Sequence, residues 1–457
     1  MSIGSILSIA KSGLQVQQKA MNVTAHNLAN ASTEGYARQR ANIAARPALD
    51  TPQGALGTGA GMVDVERIAD PLLDQVFRRE TSTSSEQGTR AATLARIEGI
   101  LGEPSDIGLA AALDQFFSSF SELGANPTDT TVRAVVRRDA QYVADKLNGL
   151  AQNLDVVRQD ATARLETGVA DMNAMTRDIA DLNRHIVAAE ADGTTASDLR
   201  DSRSRLLDRL ATLGPIKVSE RSDGAVGVSM SGVSVVDGAY NSPLEIRTVG
   251  GNVGLALVGR AGLVQTGGGS LGGLMGVLNT DVPQARQVFD DVAANLVDQV
   301  NTAHRTGTNP LGNTGVDFFD PATLTSSSIA LSAAVLADSR AIAAGTPDGA
   351  GNYRAGATDV AEAISALRDG NVAVLGDSLL GHYRGLVSSV GSAVRSASDT
   401  AEASGILAEQ AQTRRESLSG VSVDEELVNM IQFQTAYQSA ARIVTAADEM
   451  LQSLLAI

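Results

Sequence analysis

The stretches LSIAKSGLQVQQKAMNVTAHNL (residues 7–28) and VDEELVNMIQFQTAYQSAARIVTAADEML (residues 423–451) decide how this chain is organised. In the first, Leu7, Leu14, Met21 and Leu28 fall seven apart, with Ile3, Ala10, Gln17 and Thr24 interleaved. In the second, Val423, Met430, Tyr437, Val444 and Leu451 repeat the spacing, joined by Leu427, Ala441 and Leu455. A seven-residue apolar repeat draws one narrow stripe along a helix, and another helix must cover it. An antiparallel pairing of Leu7 with Leu451 also sets Leu14 against Val444, Met21 against Tyr437 and Leu28 against Met430.

The charges agree with that pairing. Residues 1–46 carry Lys11, Lys19, Arg38, Arg40 and Arg46 against Glu34 alone, and residues 421–457 carry Asp424, Glu425, Glu426, Asp448 and Glu449 against Arg442 alone. Lys11 then falls near Asp448 and Glu449, and Arg38 and Arg40 near Asp424 to Glu426. Exposed ion pairs are worth only about 0–1 kcal/mol each, so they select a register more than they stabilise it. The plainer alternative is two ordinary amphipathic helices whose acids at Asp424 to Glu426 match a helix dipole. Against it, two narrow stripes bury little and isolated helices are marginal, so the pair needs neighbouring subunits on its other faces.

Between the ends, Asn30 to Tyr36 breaks the helical pattern with turn formers, and residues 46–62, rich in Gly and Pro, read as an irregular or β-like connection. Helical spacing resumes near Asp70, with breaks at Gly102 to Pro104 and Gly124 to Pro127. The longest predicted helix runs from Thr128 to about Ala191, a length of roughly 90 Å at ~1.5 Å per residue. A shorter one covers Ala196 to Leu213. Residues 216–266 alternate apolar and small polar residues between turns such as Asp223-Gly224 and Asp237-Gly238, which predicts a small antiparallel β module. Gly267 to Gly273 reads as a flexible hinge, Val282 to His304 as a helix, 305–356 as irregular, and Asn371 to Leu418 as a long helix.

The expected fold is mainly α with a small β module, an elongated multi-domain hairpin. Residues 1–46 and 415–457 form the terminal coiled coil, 47–214 and 270–414 a long helical bundle with an irregular insert near 305–356, and 215–269 a small outer β domain.

Composition narrows the function classes. The chain has 457 residues, a net charge of −16, no cysteine and no tryptophan, and only 3% aromatics. An acidic chain without a basic stretch is a poor match for nucleic acid. No window approaches the roughly 18–20 apolar residues of a membrane span, and Met1 to Ser5 lacks the basic start and apolar run of a cleaved signal. Few large rings suit long helical seams better than a ligand pocket.

The residues also carry a resemblance. Ser12-Gly13-Leu14, Asn27-Leu28-Ala29-Asn30 and Thr33-Glu34-Gly35-Tyr36 resemble the N-terminal signature of the flagellar rod, hook and hook-associated axial proteins. Ser419-Gly420-Val421, Asp424-Glu425-Glu426-Leu427, Gln434, Tyr437, Ala440 and Asp448 to Leu451 resemble their C-terminal signature. A third patch, Gly272-Gly273-Leu274, Asn301, His304-Arg305 and Asp317 to Asp320, is similar to the hook–filament junction members of that family. The resemblance implies a structural subunit of the flagellum, set in a ring between hook and filament and needed for motility. The terminal helices would line the inner tube, with the β module outermost. It implies adjacent copies, the hook protein and a second hook-associated junction protein as partners. Export would use the flagellar type III apparatus without a cleaved signal, with a cytoplasmic chaperone on the C-terminal segment, to an extracellular location. Glu34 stands where relatives often have proline, and the chain is short for the family, which implies a reduced outer domain.

The expected assembly seam comprises Leu7, Leu14, Met21, Leu28, Asn30, Gly35 and Tyr36 with Leu427, Met430, Tyr437, Val444 and Leu451. No catalytic, cofactor or metal site is expected. His26, His185, His304 and His382 are scattered without metal-ligand spacing, and the glycines at 267–273 lack a phosphate loop's Gly-Lys-Ser/Thr ending. Another axial component, such as a hook or distal-rod protein, is the nearest alternative; a secreted acidic coiled-coil adhesin is a more distant one.

Overall fold

The computed structural model describes residues 3–51, 54–260, 262–264 and 267–455. Helix α1 (Ile3–Ala29) leads through a turn into strand β1 (Gln39–Ala45). Strand β1 pairs antiparallel with β4 (Ala60–Arg67), and the short strands β2 (Leu49–Thr51) and β3 (Gly54–Leu56) pair between them. The ribbon lies along α1. Gly59, at φ +99°, makes the closest approach, where an added Cβ would stand 2.0 Å from Ser12 Oγ. The Ser12 hydroxyl accepts from the Ala60 amide at 3.3 Å. The expected domain boundary at residue 46 falls inside this ribbon, because the β1–β4 ladder ties the chain on either side of it.

Helix α2 (Pro71–Leu101) has a well-marked start and stop. The Asp70 carboxylate accepts from the amides of Leu72 and Leu73, Pro71 occupies the first turn, and Gly102 at φ +59° closes the end. After α3 (Leu109–Ala125), α4 (Thr130–Ala189) runs for 60 residues, and α5 (Ser197–Leu213) folds back on it. Helix α4 is the common spine of two cores. Val136, Val143, Leu147 and Leu154 belong to one, with Phe116 and Phe289. Ala161, Leu165, Met172 and Ile179 belong to the other, with the apolar faces of the strands.

Those strands form two antiparallel sheets. Strands β5 (Ile216–Glu220), β6 (Val226–Met230), β7 (Val233–Asp237) and β8 (Tyr240–Asn241) pair in sequence. Strand β10 (Asn252–Leu257) sits between β9 (Leu244–Val249) and β11 (Leu263–Val264). The alternation at Val226, Val228 and Met230 buries all three toward α4, as a half-buried strand requires.

One expectation is corrected here. The glycine run expected to be a flexible hinge forms helix α6 (Gly269–Gly276). It is glycine-rich because its backbone presses against other helices: a Cβ at Gly273 would stand 2.4 Å from the Glu86 carbonyl oxygen of α2, and one at Gly168 of α4 would meet Leu271 at 2.5 Å. A π-helical turn, Val277–Asp281, joins α6 to α7 (Val282–His304).

The chain then passes through short elements, including α8 (Ala333–Ala337) and α9 (Asp359–Ala366), to α10 (Leu379–Ser419) and α11 (Val423–Leu455). Helix α10 starts later than the expected residue 371. A turn closed by a Val372–Asp377 bridge, with Gly376 at φ +71°, occupies 372–377, and the Ser378 hydroxyl caps the helix by accepting from the Gly381 amide. Helix α10 lies along α2, and α11 returns along α1. The protein is mainly α, with paired terminal helices, a long helical bundle and a β module from the middle of the chain.

Candidate assembly interface

The heptad residues of the expected seam lie on α1 and α11, Asn30, Gly35 and Tyr36 lie in the turn after α1, and the two helices pair in a register the heptads alone did not indicate. A Cβ added at Gly13 would stand 3.6 Å from Ala440 Cβ, and the Asn27 amide reaches the Glu426 carboxylate at 3.2 Å. Each α1 residue therefore lies opposite an α11 residue about five places earlier than the Leu7–Leu451 alignment expects, a slide of roughly 7.5 Å. Arg38 does reach the expected acids, donating to Glu425 and Glu426 at 2.8 Å each. Arg40 instead pairs with Glu66 on the ribbon, and among the described residues no ion pair joins Lys11 to Asp448 or Glu449.

The buried residues of α1 are Ala10, Ser12, Val16, Ala20, Thr24 and Asn27, while Leu7, Leu14, Met21 and Leu28 are half-buried. The ribbon covers a second face of α1 and draws the burial round toward itself. On α11, Glu426 and Ala447 alone among the described side chains are buried. Met430, Tyr437, Val444 and Leu451 are half-buried and Leu427 is 42% exposed. Beside them Val428 (64%), Ile431 (63%), Ile443 and Met450 lie open to solvent. Helix α11 is thus an apolar helix that its own chain covers on one side only.

The motif around Asn27 ties this pair to the bundle. The Asn27 side chain donates to the Gln39 carbonyl (2.8 Å) and to Glu426, and accepts from the Gln39 amide (3.0 Å) and the Tyr36 hydroxyl (2.8 Å). Every hydrogen-bonding position of this buried amide is used. Glu426, also buried, is held by Asn27 and Arg38, and the Arg38 amide donates to the Ser419 carbonyl. Burial pushes the Tyr36 phenol above its ordinary range, and the carboxylates of Asp198, Asp201 and Glu426 add to the shift. The Ala37 amide and Arg67 both donate to Asp201 on α5, whose carboxyl is raised by burial despite Arg67.

Asn30 organises the turn, donating to the His26 carbonyl and accepting from Thr33. Gly35 takes φ +73°, and a Cβ there would stand 2.6 Å from Arg205 Cγ. Asn27 and Glu426 were visible as motif residues, but their roles were not. A polar residue inside an apolar helix face was the signal that could have singled out Asn27.

The third motif patch also assembles. Asn301 accepts from the amides of Phe318 and Phe319 and donates to the Phe319 carbonyl, each at 2.9 Å. His304 bridges the Val316 carbonyl and the Ala343 amide, and Arg305 pairs with Asp317. Burial lowers the His304 pKa to about 4, so the ring is neutral: Nδ1 donates to Val316 and Nε2 accepts from Ala343. Phe116, Phe117, Phe120, Phe318 and Phe319 form one aromatic knot beside it. This patch anchors the irregular 305–343 segment to the bundle. Among the described residues no group of acids and histidines could hold a metal ion, and no helix is long and apolar enough to cross a membrane.

The chain is similar to known proteins. Residues 7–36 match the family model described as flagella basal body rod protein, and 415–457 that of the flagellar basal body rod FlgEFG protein C-terminal. Residues 94–319 match the flagellar hook-associated protein FlgK helical domain. Over 98% of its length the chain is 31% identical to flagellar hook-associated protein 1 of Bacillus subtilis, covering 97% of that protein. The chain belongs to the flagellar hook-associated protein 1 family. The family member of Salmonella typhimurium is 27% identical over 69% of this chain and 59% of its own length. The solved structure of the flagellar hook junction protein FlgK from Burkholderia pseudomallei shares the fold, with a TM-score of 0.66 at 16% identity, covering 76% of this chain and 100% of that one. The hook-associated protein 1 family is a family of flagellar structural proteins, and in this chain the two terminal family matches include α1 and α11.

Proposed function

We propose that this chain is a structural, non-catalytic subunit of the hook–filament junction that builds a ring by packing its terminal helix pair against adjacent copies. The observation that carries this reading is α11, whose large apolar residues Val428, Ile431, Ile443 and Met450 lie exposed along a helix of 33 residues. Monomeric proteins rarely leave such a stripe open, and a contiguous one marks an interaction surface. The half-buried Leu7, Leu14, Met21, Leu28, Met430, Tyr437, Val444 and Leu451 add to it; Asn30, Gly35 and Tyr36 shape the turn that presents it.

In this reading the terminal pair (1–46 with 415–457) lines a tube, the bundle (47–214 and 270–414) surrounds it, and the 215–269 module faces outward. The hook protein lies on one side of the ring and a second hook-associated junction protein on the other. The subunit reaches this extracellular place through the flagellar type III apparatus, its C-terminal segment held beforehand by a cytoplasmic chaperone. An apolar, marginally covered α11 is the kind of surface a chaperone would protect. Electron microscopy of a deletion strain tests the reading: hooks without filaments support it, whereas missing hooks would point to a hook or distal-rod component, and normal filaments would reject both.

A further inference from the structure

A cleft of about 310 Å³ opens between the start of α2, helix α5 and strand β5, and four arginines line it: Arg67, Arg78, Arg200 and Arg203. Three are committed to carboxylates. Arg67 pairs with Asp201 (2.6 Å), Arg78 with Asp208 (2.6 Å), and Arg200 with Glu190 (2.7 Å) and Glu220 (2.6 Å). The cleft's other acid, Asp74, is taken by Arg415 at 2.8 Å.

Arg203 stands apart. It is only 4% exposed, and both of its hydrogen bonds leave Nη1 for neutral acceptors, the Asn183 side-chain oxygen (2.9 Å) and the Gly224 carbonyl (2.7 Å). Among the described residues no carboxylate lies within ion-pair distance of it. The Nε–Nη2 edge, the one whose geometry matches a carboxylate at two points, is without a partner in a residue that lines open space. Burial lowers the Arg203 pKa to about 10, which still leaves the side chain charged at neutral pH. No carboxylate bonds Arg203 directly: Glu190 and Glu220 act on it only through space, while their own ion pairs go to Arg200. Leu207 and Val218 supply an apolar wall beside it.

We propose that this cleft binds a carboxylate, gripped at two points by Nε and Nη2 of Arg203, with its aliphatic stem against Leu207 and Val218. A free small carboxylate and the acidic side chain of an adjacent copy offer the same chemistry, and the experiment separates them. Thermal unfolding of the full chain is followed while sodium glutarate is titrated against sodium chloride at matched ionic strength, for the natural protein and for Arg203→Met. A saturable rise in Tm with glutarate alone, absent from Arg203→Met, establishes the site for free carboxylates. Arg203→Lys keeps the charge but loses the fork and should bind glutarate about tenfold more weakly; it also serves if the Met variant fails to fold.

If glutarate has no effect, yet either variant keeps its Tm and loses filament attachment in a complemented deletion strain, the carboxylate comes from an adjacent subunit. That second arm rests on the junction reading, which the deletion phenotype tests separately. Equal glutarate responses in natural and variant proteins would overturn the site. So would no glutarate response combined with normal attachment of filaments by the variants.

Discussion

Replacing Asn27 with leucine should loosen the terminal helix pair while leaving the rest of the molecule folded. Leucine matches asparagine in size but carries no polar atoms, so the change strands the groups that Asn27 now serves. The Gln39 amide and carbonyl lose partners at 3.0 and 2.8 Å, and the buried Glu426 loses one of its donors but keeps Arg38. An unsatisfied buried polar group costs about 1–3 kcal/mol. Two backbone groups on a half-buried residue set the loss near 3 kcal/mol, or roughly 100-fold in the local opening equilibrium. Neither core contains α1 or α11, so the loss should stay local. Hydrogen exchange at neutral pH is the assay. Amides in residues 36–45 and in the first turns of α11 should exchange roughly 100-fold faster, while those of α4 keep their protection. A change below about threefold in the α11 peptides would refute the claim that this amide joins head to tail.

Further outcomes follow from other parts of the molecule. Ile431→Asp places a charge on an already exposed position, so the monomer's stability should move by no more than about 0.5 kcal/mol while filament attachment is lost; unchanged motility would remove α11 from the seam. Burial holds His304 neutral, with a folded pKa of about 4 against an ordinary 6.5, so the unfolded chain binds the proton first; stability should be full above pH 6.5 and fall by up to roughly 3 kcal/mol as pH drops toward 4. Denaturant titrations of the natural protein and His304→Gln should therefore differ in slope across that window, and parallel curves would argue against it. Gly273→Ala drives a Cβ to 2.4 Å from the Glu86 carbonyl oxygen and should cost about 1–3 kcal/mol, whereas Gly149→Ala in α4 meets nothing within 4 Å and should stabilise by about 0.5–1 kcal/mol; equal effects in thermal melts would mean α6 does not press on α2.

Much of this architecture was legible in the residues because it depends on local rules. The long helix over 128–191 was marked by apolar residues three and four apart, and its observed span is Thr130–Ala189. The β module was marked by alternation at Val226, Val228 and Met230 between glycine-containing turns. The glycine run at 267–273 misled because composition reports what a backbone can do, not what surrounds it. Glycine permits both a hinge and a tight helix crossing, and only the proximity of the Glu86 carbonyl and of Gly168 chooses the crossing.

The terminal seam shows the same division. That α1 and α11 are helices with apolar stripes, and that their charges are opposite, follows from the order of residues alone, since helical periodicity acts over a few positions. Their alignment does not. A repeating stripe fits its partner equally well after a slide, so the register is set by polar groups outside the heptad positions: Asn27 on Glu426, and Arg38 on Glu425 and Glu426. Those contacts join residues hundreds of positions apart and come into being only when the ribbon, the turn at Gly35 and both helices have met. Local pattern determined what the ends are; polar contacts made in three dimensions decided how they fit.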